Sequence, residues 1–187
     1  MSIILKPNLQ PREIPLLNLV CSLTIARVLL ELGAKAAPRW PNDVFVSDKK
    51  VAGILAEADF NECTNWVVVG IGIDTNVDTD SFPPDVRRRA TSLRRVLGRE
   101  IDHDGLTKRI FKELEADYHK LKERDFDELL SEWKFHSDIM GRKVRIGFQD
   151  ESFIGVAVDI GIGGSLLIQM EDGNTREATV GEFTLIK

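Results

Sequence analysis

The segment that decides the fold is residues 39–55, which reads RWPNDVFVSDKKVAGIL. Pro41 interrupts any helix at its start, and the apolar run Asp43 to Ser47 predicts a short strand. Asp48 and Lys49 predict a turn, after which the residues from Val51 to Phe60 predict a longer strand. The segment therefore predicts two consecutive strands, with polar side chains gathered where the two strands meet.

Two charged side chains in this segment have the chemistry of an anion and metal site. Lys50 stands at the mouth of the predicted sheet, and its ammonium is a compact charge with three donors that can bind an anion. Asp43 can hold magnesium, which prefers carboxylate oxygens together with phosphate. Each residue also has an ordinary interpretation. A lysine in a turn is usually solvated, Asn42-Asp43 after proline often forms a turn, and Trp40 is typical of a core or rim aromatic residue.

Outward from this segment, the pattern alternates between strands and helices. A strand is predicted at Ser2 to Pro7, and a helix from Pro11 to Gly33 with Pro15 in its first turn and Gly33 at its end. Downstream, a polar connection at 61–65 leads into a strand at 66–73, and a polar loop covers 75–90. Helices are predicted at 91–98, 104–123 and 126–135.

Three glycines, Gly53, Gly70 and Gly72, interrupt the two long predicted strands. A glycine inside a strand weakens it unless backbone must approach something closely. The glycines therefore indicate either a bound ligand or bulges in the sheet, and the sequence leaves both open.

The chain changes character after His136. Short predicted strands at 144–146, 153–158, 166–169 and 183–186 are separated by turns rich in Gly and Asp. Such spacing is typical of a small barrel. We expect a boundary near Ser137 to Gly141, with one domain at 1–137 and a second at 138–187. About 50 residues are marginal alone, so the second should lean on the first.

Composition limits the class of protein. The net charge of −5 argues against a nucleic-acid partner, and the runs Arg87-Arg88-Arg89 and Arg94-Arg95 are interpreted as solvated loop and helix faces. Cys21 and Cys63 have no CxxC partner and are expected to be reduced and buried. The apolar stretch 16–32 is too polar for a membrane span, and no signal peptide is visible. We expect a cytoplasmic protein without a membrane partner.

The order of these motifs resembles the biotin protein ligase family. Residues 39–43 are similar to its Lys-Trp-Pro-Asn-Asp segment, and 50–57 to its Lys-(Leu/Ile)-Ala-Gly-(Ile/Val)-Leu-x-Glu segment. Residues 70–76 resemble Gly-Ile-Gly-Ile-Asn-Val-Asn, and Ala90-Thr91-Ser92-Leu93 is a further match. The resemblance runs in order through the C-terminal strands.

The resemblance implies an α+β fold like that of class II aminoacyl-tRNA synthetases and biotin ligases. A mixed β-sheet with flanking helices, incomplete at the N-terminus, would precede a small all-β barrel of Src-homology-3 type. It also implies a two-step reaction. Biotin and ATP give biotinyl-AMP and pyrophosphate, and a lysine of a biotin carboxyl carrier domain then takes the biotinyl group as an amide.

The resemblance also implies roles for residues. Lys50 would be catalytic and would contact biotin, whose cleft Gly53 and Leu55 would line. Trp40, Asn42 and Asp74 would contact the nucleotide, and Asp43 would hold Mg²⁺. A homodimer is a further expectation.

This sequence departs from the family pattern in three ways. Arg39 replaces a lysine, which keeps the charge but changes its geometry. Asp74 replaces an asparagine, which adds negative charge beside the expected phosphates, where it could weaken nucleotide binding or help to hold magnesium. The 187 residues also lack the Ser/Thr-rich stretch and the Gly-Arg-Gly-Arg-type loop that precede the first matching strand in the family.

Three explanations for that last departure are compatible with the sequence: a fragment, a second polypeptide that supplies the segment, or a degenerate relative. Two alternatives to an active biotin ligase follow. One is a noncatalytic or incomplete protein that binds biotin or the acceptor. The other is a lipoate or octanoate ligase, against which the motif at 39–55 argues.

Overall fold

A computed structural model describes residues 1–7, 9–61, 63–148, 151–179 and 181–186, and it leaves the side chains of residues 59–65 undescribed. It contains two five-stranded sheets and five α-helices, which confirms the α+β class.

The first sheet forms the N-terminal half. Its strands are β1 (Ser2–Leu5), β2 (Ala36–Arg39), β3 (Asp43–Val46), β4 (Lys49–Asn61) and β5 (Cys63–Ile73), in the spatial order β1-β5-β4-β3-β2. Every pair of neighbouring strands is antiparallel, and the parallel contact among the described residues is an isolated bridge between Lys50 and Ala90. The expectation of a mixed sheet is therefore wrong for this part of the chain. Short connections between successive strands favour antiparallel pairing, because parallel strands need long crossovers.

Helix α1 (Pro15–Glu31) covers one face of this sheet. Val67, Val69 and Ile71 point into the core with it, while the residues between them face outward, as the two-residue period of a strand requires. Helix α1 begins at Pro15 and not at Pro11 as predicted, because Pro11–Glu13 form a separate 3₁₀ turn. It ends as predicted: Gly33 has φ +96°, and the amides of Gly33 and Ala34 donate to the carbonyls of Leu30 and Leu29.

The segment Pro11–Glu31 is long and apolar enough to span a membrane, which the sequence interpretation above did not allow. Within the protein, however, 78% of its most apolar window is buried. A helix that is apolar on all sides and packed on all sides is typical of a core helix.

The structure describes four further α-helices after α1. They are α2 (Pro84–Arg89), α3 (Leu93–Leu97), α4 (His103–Lys122) and α5 (Phe126–His136). Helices α3, α4 and α5 pack against the core that contains α1, and they confirm the predicted helices. Helix α2 lies in the segment predicted as a loop, and none of its residues is buried, so no apolar period marked it.

A buried polar network ties three of the helices together. Asp117 of α4 is 1% exposed and accepts hydrogen bonds from Thr24 (2.5 Å) and Arg27 (2.5 Å) of α1. Arg27 also donates to Glu132 of α5 at 2.8 Å.

Burial, with Asp117 nearby, raises the pKa of Cys21 to about 12, so this thiol is protonated, as expected of a reduced buried cysteine. The side chain of Cys63 lies outside the described part of the chain.

The second sheet forms the C-terminal part. Its strands are β6 (Lys143–Phe148), β7 (Glu151–Ile160), β8 (Leu166–Gln169), β9 (Thr175–Ala178) and β10 (Glu182–Leu185), ordered β10-β6-β7-β8-β9. Four of these were predicted, and β9 was not. All neighbours are antiparallel, and within the described residues no ladder joins β9 to β10. The structure thus shows a five-stranded sheet, while closure into a barrel of Src-homology-3 type remains a prediction.

The two sheets share a core at α1. Leu19 and Leu23 of α1 pack with Trp40, Trp133 and the inner side chains of the second sheet. The turn at 161–164 rests on the start of α1, where a Cβ on Gly164 would lie 3.2 Å from the Leu19 side chain. The second sheet therefore leans on the first half of the chain, while the domain boundary at 137/138 stays a prediction.

Candidate functional site

A groove between the two halves contains the two charged residues singled out from the sequence. It has a volume of about 540 Å³. Asp43 and Lys50 of the first sheet line it together with Val86 and Arg89 of α2, and Phe183 of β10 contributes to the opposite wall. The tertiary structure thus places Lys50 in the wall of a concave surface, where a ligand can be held.

Lys50 forms an ion pair with Asp43, with 2.6 Å between Nζ and Oδ1. The lysine side chain is 44% exposed and the aspartate 22%. Asp43 Oδ1 is buried and accepts no well-oriented hydrogen bond from the described residues, so the nearby ammonium is the charge that compensates it. The pair leaves Lys50 half open to the groove, in position to meet a second anion.

A bulge in β4 places Lys50 on this face. Phe45 pairs with Lys50 and Val44 pairs with Ala52, so Val51 is an extra residue in β4. Without it, Lys50 and Gly53 would point to opposite faces, because side chains alternate along a strand. The bulge brings them to one face, and it buries Val51 completely.

Gly53 leaves the space in which Lys50 lies. A Cβ at position 53 would be 3.1 Å from both Cε and Nζ of Lys50 and 3.5 Å from Asp43 Oδ1. The two contacts with Lys50 are tighter than ordinary van der Waals packing, whereas the contact with Asp43 is an ordinary one. Any side chain at position 53 would therefore require the end of the Lys50 side chain to shift.

The other two glycines continue this bare surface. Gly72 pairs with Gly53, and Gly70 pairs with Leu55, which is 55% exposed. The register shifts in this sheet fall at Val44/Phe45 and Ala58/Phe60 and at none of these glycines. Bulges therefore do not explain the glycines, which favours the ligand interpretation.

Asp74 directly follows β5, and its carboxyl group lies in the field of Lys50. Its amide donates to the carbonyl of Val51, and its carbonyl accepts from the amide of Leu93, each at 2.8–2.9 Å. Burial raises the pKa of Asp74 above its ordinary value, and the positive charge of Lys50 opposes that rise. The structure thus brings Asp74 into electrostatic contact with Lys50.

The motif Ala90-Thr91-Ser92-Leu93 holds the start of β4 and the residue after β5 through backbone hydrogen bonds. Thr91 donates its amide to the Lys50 carbonyl at 2.8 Å, and Ser92 caps α3 through the amide of Arg95. The sequence marked this motif only through the resemblance. Backbone hydrogen bonds of this kind depend little on side-chain identity, so residue chemistry did not reveal the role.

Asn42 supports the site from the edge. The side-chain amide of Asn42 donates to the backbone carbonyl of Ile54 at 2.6 Å. The backbone carbonyl of Asn42 accepts from the backbone amide of Ile54 at 2.9 Å. This double link holds the residue before Asp43 against β4. In this structure the amide of Asn42 is engaged with backbone, and its nucleotide contact stays a prediction.

Trp40 is not in the groove. Its side chain is 2% exposed, and its indole donates to the Gly164 carbonyl at 2.9 Å. The geometry offers no support for the predicted contact between this side chain and a nucleotide. The ordinary interpretation as a core aromatic residue describes its surroundings.

The carboxylates at the groove fit a magnesium ion that arrives with phosphate. The buried Oδ1 of Asp43 has the Lys50 ammonium as its counter-charge at 2.6 Å, and Asp74 is a second carboxylate in the field of Lys50. No group of three or more His, Cys, Asp or Glu side chains that could hold a metal occurs in the described part of the chain. Magnesium typically needs only one or two protein carboxylates when phosphate oxygens and water complete its shell.

Comparison with known proteins connects this geometry to a family. The profile of the "Biotin/lipoate A/B protein ligase family" matches residues 1–74. The "Bifunctional ligase/repressor BirA" of Bacillus spizizenii is 30% identical over 175 residues, covering 92% of this chain and 54% of that protein. The protein of the same name from Escherichia coli is 29% identical, covering 90% and 52%.

Solved structures agree with these sequence matches. A biotin protein ligase from Aquifex aeolicus, solved in complex with biotin and ATP, is 28% identical with a TM-score of 0.84, covering 100% of this chain and 77% of that one. The present chain spans about half the length of the curated relatives it matches. The sequence motifs and the fold agree with these relatives, and the chain is similar to biotin protein ligases over nearly its whole length.

Proposed function

We propose that this protein activates biotin with ATP and transfers it to a lysine of a biotin carboxyl carrier domain. The observation that carries the proposal is the position of Lys50, half exposed in a groove and held by Asp43 above Gly53. Relatives named as ligases, and a neighbouring structure solved with biotin and ATP, support the same chemistry.

In the first step, the biotin carboxylate attacks the α-phosphorus of ATP, a bond forms between them, and pyrophosphate leaves. Negative charge grows on the phosphate oxygens as this occurs. Lys50 is fixed beforehand by Asp43 and the bulge, so its ammonium can stabilise that charge without reorganising. Asp43 would hold magnesium together with the phosphates, and the ion would supply further positive charge there.

Gly53, Gly72 and Leu55 are proposed to bind biotin. The two paired glycines leave bare backbone beside Lys50, and Leu55 offers an exposed apolar side chain on the same face. A compact apolar ring system with a carboxylate tail matches such a surface, because it can bury apolar area while its carboxylate meets the ammonium.

In the second step, a neutral lysine amine of the acceptor attacks the carbonyl of biotinyl-AMP. An amide bond forms, the bond to phosphate breaks, and AMP leaves with its electron pair while the amine loses a proton. A cytoplasmic location and a homodimer remain predictions that accompany this proposal.

Lys50→Met tests the proposal in the full-length protein. We expect loss of biotin-dependent pyrophosphate release from MgATP by about a hundredfold or more, which is typical when one preorganised charge donor is removed. Lys35→Met, at an exposed lysine away from the groove, should retain activity. The proposal fails if the wild-type protein releases no pyrophosphate, or if both variants behave alike.

Gly53→Ala tests the geometry separately from the charge. The added Cβ would displace Lys50 Nζ, so we expect adenylate formation to fall about tenfold or more while the unfolding midpoint changes little. Gly147→Ala, where nothing lies within 4 Å of the new Cβ, should leave both quantities unchanged. Equal rates in the two variants would show that Lys50 does not need this space.

A noncatalytic binding protein is the alternative from a different class, and Asp74 motivates it. It predicts biotin binding without pyrophosphate release. Replacing biotin by lipoate or octanoate in the same assay addresses the remaining alternative, since a ligase for those acids would release pyrophosphate with them instead.

A further inference from the structure

Arginines are concentrated on one surface next to the groove. Six of the 25 basic residues of the chain lie within residues 87–99, whereas residues 84–100 contain only two acidic residues. The protein as a whole is acidic, with a net charge of −5. We call residues 84–100, which comprise α2, α3 and the three residues after α3, the arginine surface.

The positive charge of this surface is only partly neutralised. Arg88 pairs with Asp85, Arg95 pairs with Asp80, and Arg94 lies 3.9 Å from Glu100. Arg87, Arg89 and Arg99 form no ion pair with any residue that the structure describes. Arg89 donates a hydrogen bond to the backbone carbonyl of Asp85, which does not neutralise its charge, and a cation without an ion pair keeps its charge available to a partner molecule.

The two helices present these charges on a continuous surface. Asp80 is hydrogen-bonded to Arg95 of α3 and lies in the field of Arg87 of α2, which lowers the pKa of Asp80. Arg94, Arg95 and Arg99 line a hollow of about 630 Å³, and so do the acidic residues Asp78, Asp80 and Glu100. The net positive charge therefore lies on the arginine surface itself, beside a hollow whose lining carries both signs of charge.

Apolar side chains are interspersed with these arginines. Val77, Val86 and Val96 are 39%, 41% and 37% exposed. Arginine combined with exposed apolar side chains is typical of protein interfaces. Residues 84–100 contain no aromatic side chain on which a base could stack, and the acidic remainder of the protein would repel a long polyanion. These features favour an acidic protein over a nucleic acid.

The arginine surface continues directly into the groove. Val86 and Arg89 of α2 line the groove together with Lys50, and the Ala90–Thr91 backbone contacts Lys50. A partner that rests on the arginine surface therefore has its edge at Lys50. That is where a lysine must arrive to be modified.

We propose that the arginine surface docks the acceptor domain through carboxylates that surround its target lysine. This inference rests on the proposed function, because it identifies the partner of the second step. Charge complementarity would also select against lysines in basic surroundings, since like charges would then meet across the interface.

The test compares two double variants of the full-length protein. Arg94→Glu with Arg99→Glu reverses charge on the arginine surface away from the groove lining. Lys108→Glu with Lys112→Glu makes the same charge change on exposed positions of α4. The acceptor probe is an isolated biotin carboxyl carrier domain with acidic residues around its lysine.

Binding of the unmodified acceptor domain is measured by fluorescence anisotropy, and transfer by the KM for that domain. We expect the arginine variant to raise both the Kd and the KM about tenfold at low salt, while biotin-dependent pyrophosphate release stays within about twofold. The wild-type Kd should rise with salt more steeply than that of the variant. The α4 variant should resemble wild type.

Three outcomes would overturn the inference: an unchanged Kd for the arginine variant, equal effects of the two variants, or no acceptor binding by wild type. Loss of DNA-duplex binding with an unchanged acceptor Kd would assign the surface to nucleic acid instead. Because binding is measured without turnover, absence of pyrophosphate release by wild type would count against the proposed function alone.

Discussion

Arg39 shows how one residue joins the two halves of the molecule. Its guanidinium donates two hydrogen bonds to Asp138, at 2.8 and 2.5 Å, and one to Asp48 at 2.6 Å, and it stacks on Phe45 at 4.1 Å. The side chain is 6% exposed. A planar guanidinium can make these hydrogen bonds and stack on the ring at the same time, and the single ammonium of a lysine cannot. This is a physical reason for arginine at position 39.

Asp74→Asn has an expected dependence on pH. Burial raises the pKa of Asp74 in the folded protein above the value of 3.8 for an unperturbed aspartate, against the opposing charge of Lys50. Between these two pKa values the folded state binds more protons than the unfolded state, so this carboxyl lowers stability as pH rises through the window. Above the pKa of Asp74 in the folded protein, this lowering of stability has reached its full extent.

We therefore expect Asp74→Asn to be more stable than wild type at pH 7, with the gain shrinking as pH approaches 3.8. Urea unfolding at a series of pH values measures it. Asp127→Asn, at an exposed position of α5, is the control and should show no such gain. A constant difference at every pH would contradict the assigned cause.

At the scale of elements, the contact between β2 and the second sheet depends on the residue after β2. Trp40 is buried and donates its indole N–H to the Gly164 carbonyl, in the turn that rests on α1. Such a bond satisfies a carbonyl that water does not reach.

Trp40→Phe should lower the free energy of unfolding by about 1–3 kcal/mol, because a buried acceptor is left without its donor. Chemical denaturation followed by circular dichroism measures the change. Trp66→Phe, at a tryptophan that is 41% exposed, should change stability by no more than about 0.5 kcal/mol. Equal effects would mean that the hydrogen bond adds nothing beyond burial of the ring.

Helix α2 and strand β9 show which elements escape prediction. Helix α2 has no buried residue and β9 has one, Ala178, so neither carries an apolar period. The elements with a strong period, α4 and β5 among them, were predicted within a few residues of their observed ends. Periodicity records burial, and elements that bury little cannot be found by it.

At the scale of the whole molecule, the two sheets are expected to unfold together. Leu19 and Leu23 belong to the helix that covers the first sheet, and both also pack in the core of the second. Trp133 of α5 is buried in that same core and donates to Ser22 of α1 at 3.0 Å.

We therefore predict one cooperative urea transition. Tryptophan fluorescence, which reports mainly the second core through Trp40 and Trp133, should coincide with far-ultraviolet circular dichroism, which reports the helices. Two separated transitions would show instead that the C-terminal sheet unfolds independently of α1.

The sequence by itself indicated the resemblance to biotin protein ligases, the fold class and the main helices, and it singled out Asp43, Lys50, Gly53 and Asp74 as candidates. It could do so because motif order and apolar period are local properties of the chain. Only the tertiary structure decided that a bulge at Val51 turns Lys50 toward Gly53, that Trp40 is a core residue, and that α2 brings arginines to the groove. These outcomes depend on the register between strands and on contacts between residues far apart in sequence, which no local pattern records.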